Sequence, residues 1–174
     1  AYDTNNTDHS PIWFTETSID YWFNRGVDAE DIVIGMPLYA RPSWMQYRDL
    51  AALNPEYAFV DYAPTTPTES YYNGINTLRE KTKIAMNKAG GVMLFEVNED
   101  TNDEYSIVSM IDDVIKRTAH LSKEELNKYI TVILDNKELI FSDEEGLGVP
   151  FINTDNRAMI PIRKPLEAIG AELT

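Results

Sequence analysis

The sequence predicts an α/β fold built on parallel strands, and three observations carry that expectation. Residues 91–100, Gly-Val-Met-Leu-Phe-Glu-Val-Asn-Glu-Asp, join an unbroken apolar run to a burst of carboxylates and amides. A strand buried on both faces reads this way when its C-terminal end opens into a polar region, which is where α/β folds bind ligands. Residues 32–34 run in the same manner into Gly35-Met36-Pro37-Leu38-Tyr39-Ala40-Arg41. Strand-like runs also alternate with helix-period segments, the order that parallel crossovers require.

Taken in order, the chain opens Ala1-Tyr2-Asp3 as if inside a strand. Residues 15–24 carry Ile19, Tyr21, Trp22 and Phe23 ahead of Gly26, with Thr17 or Ser18 as N-cap, and predict a helix. A buried strand is predicted over 31–36. Residues 42–72 are rich in Pro, Tyr and Thr, show no sustained period, and predict a long loop of the kind that usually serves function. Helical spacing at Leu78, Ile84 and Ala85 predicts a helix over 75–88, with basic residues toward the C-terminus, where the dipole favours them. Asn87-Lys88-Ala89-Gly90-Gly91 ends it. A strand at 92–97 and an amphipathic helix at 106–118 follow.

From about residue 122 the pattern changes. Ser122-Lys123-Glu124-Glu125 is a capping box opening a short helix or linker. Residues 130–134 and 139–141 flank Asp135-Asn136-Lys137-Glu138 and predict a β-hairpin. Residues 149–152 and 157–162 predict a second strand pair around Asn153-Thr154-Asp155-Asn156, and a last helix opens at Leu166 and stops at Gly170. The expected organisation is a larger domain, 1–120, and a small α+β module, 121–174.

Composition narrows the function. Apolar residues make up 43% of the 174, enough for a sizeable core. A net charge of −14 argues against a nucleic-acid or anionic-membrane partner, since both need a basic face. The absence of cysteine removes disulfides and thiolate metal sites. No Gly-rich phosphate loop follows a strand, and His9 and His120 stand isolated in the sequence, so no cofactor or metal is expected. The acidic group Glu96, Asn98, Glu99, Asp100, Asp103 and Glu104 lacks the glycine and alternating oxygens of a calcium loop, and reads as a solvated loop before an acidic first turn.

Three motifs carry a resemblance. Ala1-Tyr2-Asp3, then Ile34-Gly35-Met36-Pro37-Leu38-Tyr39-Ala40-Arg41, then Gly90-Gly91-Val92-Met93-Leu94-Phe95-Glu96 with Asp100-Thr101, resemble strands six, seven and eight of family 18 glycoside hydrolases, the chitinase-like group. Tyr71-Tyr72-Asn73-Gly74 and Lys81-Thr82-Lys83 fit the helix between the last two. The resemblance covers roughly 1–118 and implies a partial (β/α)8 TIM barrel, its last three βα units. The tail, 128–174, is similar to the copper amine oxidase N-terminal-like module of Gram-positive surface proteins, through Asp135-Asn136-Lys137-Glu138-Leu139-Ile140-Phe141 and Asn156-Arg157-Ala158-Met159-Ile160-Pro161-Ile162-Arg163. Nothing there suggests copper, because both histidines lie outside it.

The resemblance implies substrate-binding roles for Tyr2, Asp3, Met36, Tyr39, Arg41, Phe95 and Glu96. Tyr2 and Asp3 would bond the acetamido group and sugar hydroxyls, Met36 and Tyr39 would line the acetamido pocket, and Phe95 would stack under a sugar. Plain alternatives stand beside these: Met36 as core filler, Arg41 as partner of a carboxylate, Phe95 as ordinary core. Trp13, Phe14, Trp44, Tyr47, Tyr62, Tyr71 and Tyr72 would form a saccharide groove or merely cover helices. The family's Asp-x-x-Asp-x-Asp-x-Glu is absent, and Asp28, Glu30 and Asp31 precede a strand where that motif ends one. No catalytic acid is therefore expected. Phe95 also stands where the family usually has Trp.

The reading is thus a fragment, cut at both ends, of a secreted or cell-surface protein of a Gram-positive-type bacterium. It would act on N-acetylglucosamine-containing, β-1,4-linked glycans of chitin or peptidoglycan type, or bind them without catalysis. Unpaired strand edges near residues 1–3 and 92–97 imply self-association, as a homo-oligomer or a strand-exchanged dimer.

Overall fold

Proline starts the first helix. The computed structural model describes residues 2–142, 145–146 and 148–171, and two units divide it, 1–120 and 121–174. In the first unit, α1 (Ile12–Phe23) takes Pro11 as its N-cap, so it begins earlier than the apolar spacing alone suggested. Thr17 and Ser18 are not caps. Their hydroxyls donate to the carbonyls one turn back, Trp13 (2.8 Å) and Phe14 (2.7 Å), a use open to these side chains inside a helix.

The centre of this unit is a parallel pair, β1 (Val33–Pro37) with the strand at Gly91–Phe95, in a register running from Val33 opposite Gly91 to Pro37 opposite Phe95. Alternation sorts the side chains to two faces. Ile34, Met36 and Leu38, with Val92 and Leu94, turn to the helix-covered core. Gly35, Pro37 and Tyr39, with Met93 and Phe95, take the other. Of the strand expected at residues 1–3, Ala1 lies outside the described residues, and Tyr2 and Asp3 are irregular, Asp3 at a φ of 52° that no extended strand accommodates. The described residues hold two parallel strands and no closed barrel.

Between the paired strands, residues 42–72 are far from structureless. They hold β2 (Arg41–Pro42), α2 (Tyr47–Leu53), β3 (Tyr62–Ala63) and β4 (Ser70–Tyr71), with the strands antiparallel in the order β2-β4-β3. Two-residue strands carry no period, which is why the sequence hid them. The helix did leave a mark, since Tyr47, Leu50 and Ala51 lie at i, i+3 and i+4 and are buried. The Tyr47 hydroxyl donates to the Tyr105 carbonyl at 2.8 Å, tying this insertion to the segment ahead of the last helix of the unit.

α3 (Ile75–Lys88) leads into β5 (Gly91–Phe95), and α4 (Ile107–Thr118) closes the unit. Gly90 permits the tight crossing, because a Cβ there would overlap the Glu30 carbonyl. Leu78 and Ile107 are completely buried between the helices and the sheet, each contributing about 1.5–3 kcal/mol by the burial of its side chain. Asp100 corrects the solvated-loop reading. It is buried, and its oxygens accept from the backbone N–H of Ile107 (2.8 Å) and Val108 (2.9 Å) and from the Ser106 hydroxyl (3.0 Å), so it caps α4.

In the second unit, α5 (Lys123–Asn127) opens on a complete capping box between Ser122 and Glu125. β6 (Val132–Leu134) and β7 (Lys137–Leu139) form the hairpin. Asp135 (φ 48°) and Asn136 (φ 63°) both take the left-handed conformation of a two-residue hairpin turn, which Asp and Asn tolerate better than most residues. β8 (Phe151–Ile152) pairs with β9 (Ala158–Met159), and α6 (Arg163–Ala168) ends before Gly170 at φ 82°. No helix among the described residues is long and apolar enough to cross a membrane.

Candidate functional site

The carboxyl ends of β1 and β5 lie side by side, and the chain before α1 folds back over them. Gly35 makes this approach possible: a Cβ at that position would overlap the Tyr2 ring. Tyr2 therefore lies over the sheet, with its hydroxyl 3.4 Å from the Met93 sulfur and its ring edge-on to Phe95 at 6.3 Å.

One residue further, the Asp3 carboxylate gathers the site. Its Oδ1 accepts from Arg41 Nε at 2.7 Å and from the Tyr39 hydroxyl at 3.2 Å, and lies 3.6 Å from His9 Nδ1. The Arg41 hydrogen bond holds the Asp3 carboxyl below the usual carboxylate range, so it is ionised at neutral pH. The side chain remains 44% exposed. Tyr39 is buried, and burial together with the Asp3 charge raises its hydroxyl to about 12, which keeps it a donor.

Aromatic faces surround this ion pair. Tyr39 stacks on Trp44 (5.7 Å, 15°) and meets Phe95 edge-on (6.4 Å, 84°), while the Arg41 guanidinium lies 3.3 Å from the Trp44 ring centroid. Trp44 is 61% exposed and Phe95 55%, large for such rings. Asp3, Ser10 and Trp44 all have positive φ, with values of 52°, 52° and 62°. Non-glycine residues in that region cost about 1 kcal/mol or more each and cluster at functional sites.

His9 is the residue the sequence hid. Its side chain is wholly buried and its ring packs against Tyr39 at 5.0 Å. Burial lowers its pKa to about 4 against the opposing pull of Asp3, and the Arg41 and Lys81 charges add to the lowering. It is neutral at pH 7. Nothing local announces these contacts, since His9 and Tyr39 are far apart in sequence. His9 also lines a cavity of about 580 Å³ with Asp8, Trp13, Asp61, Tyr62 and Tyr71.

Of the residues singled out from sequence, Tyr2, Asp3, Tyr39, Arg41 and Phe95 come together. Met36 does not join them: it is completely buried in the helix-covered core with Leu38 and Leu78, the plain alternative for a methionine. Glu96 lies exposed just past the strand, after a cis Phe95–Glu96 peptide. Among the wider aromatics Trp44 joins the site, whereas Tyr47 and Tyr72 are core.

The fold has solved counterparts. A GH18 chitinase from the chitin utilization locus of Flavobacterium johnsoniae is 24% identical, with a TM-score of 0.58 over 66% of this chain and 40% of its own. A chitinase from Bacteroides thetaiotaomicron is 22% identical, with a TM-score of 0.57 over 70% of this chain and 45% of its own. These likenesses show a shared fold. The chain thus spans less than half the length of either chitinase. No family model and no curated protein sequence matches it, and neither likeness bears on the copper amine oxidase-like reading of the tail.

Chemically, the site offers one fixed carboxylate, one guanidinium and stacked exposed rings. That combination suits a neutral, hydroxyl-bearing ligand with apolar C–H faces.

Proposed function

We propose that this chain forms the sugar-contacting part of a family 18-type glycoside hydrolase acting on β-1,4-linked N-acetylglucosamine glycans, and that it supplies no catalytic acid of its own. The observation carrying the reading is the Asp3–Arg41–Tyr39 cluster, set between exposed Trp44 and Phe95 at the carboxyl ends of two parallel strands. Asp3 Oδ2, which the Arg41, Tyr39 and His9 contacts leave aside, accepts from a sugar hydroxyl, and Trp44 or Phe95 lies under a pyranose face. The (β/α)8 assignment for residues 1–120, the copper amine oxidase-like assignment for 121–174, and a secreted or cell-surface location belong to the same proposal. A second reading, a non-catalytic glycan-binding protein of the cell wall, draws support from Phe95 standing where the family resemblance carries Trp.

The test is calorimetric titration of the full chain with N-acetylglucosamine oligomers. Binding that weakens about tenfold in Asp3→Ala and Trp44→Ala, roughly one charged hydrogen bond or one stacking contact, is expected. Absence of binding at millimolar ligand would end the reading. Turnover of a chitobiose reporter by the chain alone would overturn the claim that it lacks an acid.

A further inference from the structure

A lysine completely removed from solvent is rare unless it is paired, and Lys81 is such a residue. It projects from α3 beneath the turn that precedes α1. Its ammonium donates to the Ser10 carbonyl, to the Ser10 hydroxyl (2.8 Å) and to the Asn73 side-chain oxygen (2.6 Å). Asn73 then donates through its amide to the His9 carbonyl at 3.1 Å. Two links therefore run to the two residues of one turn, one from α3 and one from Asn73, the residue ahead of its N-cap Gly74. Ser10 sits at φ 52°, a conformation a serine does not hold without outside support. The next residue back, His9, packs against the Tyr39 ring at 5.0 Å, with its Nδ1 3.6 Å from the same Asp3 oxygen that accepts from the Tyr39 hydroxyl at 3.2 Å.

We propose that Lys81 is a positioning residue for the candidate site: by clamping the His9–Ser10 turn from below, it holds His9 against Tyr39 and thereby fixes the Tyr39 hydroxyl and Asp3 relative to Arg41. Among the described residues the Lys81 hydrogen bonds go to Ser10 and Asn73, and none goes to Asp3, Tyr39 or Arg41. A filler role would need only a long apolar side chain; three acceptor oxygens converging on one ammonium fit a device that fixes geometry. An ammonium has three protons for these three oxygens. Burial brings Lys81 down to about 7, with Asp61 opposing, so above neutrality it has two donors left for three acceptors. The ionisable groups that face it are Asp61, from the segment entering β3, and His9, from the turn above. Asp61 is exposed on the cavity wall; partial desolvation of its carboxyl raises it, and the carboxylate accepts from the Gly74 N–H (2.8 Å) and the Thr77 hydroxyl (2.6 Å).

The experiment is nuclear magnetic resonance on the full chain, reading contacts between the His9 and Tyr39 rings, with affinity for tetra-N-acetylchitotetraose as second readout. In Lys81→Met, the ring contacts should disappear while the melt stays cooperative, and affinity should fall about tenfold. Loss of melting temperature alone, with ring contacts and affinity intact, overturns the proposal. If Lys81→Met does not fold, Ser10→Ala removes one acceptor and should weaken the same ring contacts; their full retention overturns it equally. In the unaltered chain the contacts should fade as pH rises through about 7, and in Asp61→Asn, which removes the charge opposing that lowering, they should fade at a lower pH. The affinity readout rests on the saccharide reading. If no oligomer binds, that reading falls, and the ring contacts still decide the role of Lys81.

Discussion

His9 links the candidate site to acid stability. In the fold its pKa is about 4, against an ordinary 6.5, because its side chain is buried. The unfolded chain therefore holds the proton more tightly, and acid favours unfolding. His9 contributes its full stabilising share above pH 6.5 and loses it progressively as pH falls from 6.5 toward 4. Between a pH of about 7.5 and one of about 4.5, the two values give a loss of about 2.5 kcal/mol. Other carboxylates titrate over part of the same window, so the comparison must be with a chain that lacks only the imidazole. Urea unfolding of the wild type and of His9→Gln at both pH values provides it. The wild type should lose about 2.5 kcal/mol more than the variant over that interval. Equal losses, within about 0.5 kcal/mol, would show that His9 takes up its proton without cost, and the packing of its ring against Tyr39 would no longer account for its state.

Three further outcomes are expected. Gly35→Ala should displace Tyr2 and cost about 1–3 kcal/mol in thermal unfolding, and combining it with Tyr2→Ala should add little, since both remove one contact. Asp100→Ala should cost about 2–3 kcal/mol, because it strips the α4 N-terminus of a buried charged acceptor; amide exchange at Ile107 and Val108 should rise with it. The exposed apolar side chains at Val33, Met93, Phe95 and Val97 should drive self-association, read by light scattering as a mass above that of one chain at high concentration, and a monodisperse monomer would count against it.

What was legible in the sequence was what local spacing encodes. Residues 75–88 showed themselves through the spacing of Leu78, Ile84 and Ala85 and the stop at Ala89-Gly90-Gly91. The Ser122 capping box and the Asp135-Asn136 turn were likewise visible, since each depends on residues within one turn of each other. α1 began early with Pro11, whose fixed φ suits the N-cap, whereas Trp13, Tyr21, Trp22 and Phe23 put exposed aromatics off the buried stripe and blurred its period. The candidate site was legible only through a resemblance. Asp3, Tyr39 and Arg41 meet across more than thirty intervening residues, and no periodicity reports that. For Met36, alternation decides: in the β1 register Gly35 faces Tyr2, so its neighbour faces the helices. His9, read as isolated, and Lys81, read only as part of a helix motif, kept their contacts hidden for the same reason as the site itself, since their partners are brought to them by the fold.

The Asp3–Arg41 pair has a consequence for how ligands arrive. A chain of net charge −14 surrounds itself with cations and repels anions. At this spot, however, carboxylate and guanidinium cancel within 2.7 Å, leaving a local patch without net charge inside an acidic field. An uncharged guest docking there displaces no counterions, so raising the salt concentration should leave its affinity almost unmoved, while any acidic guest would gain from the same addition as the surrounding field is screened.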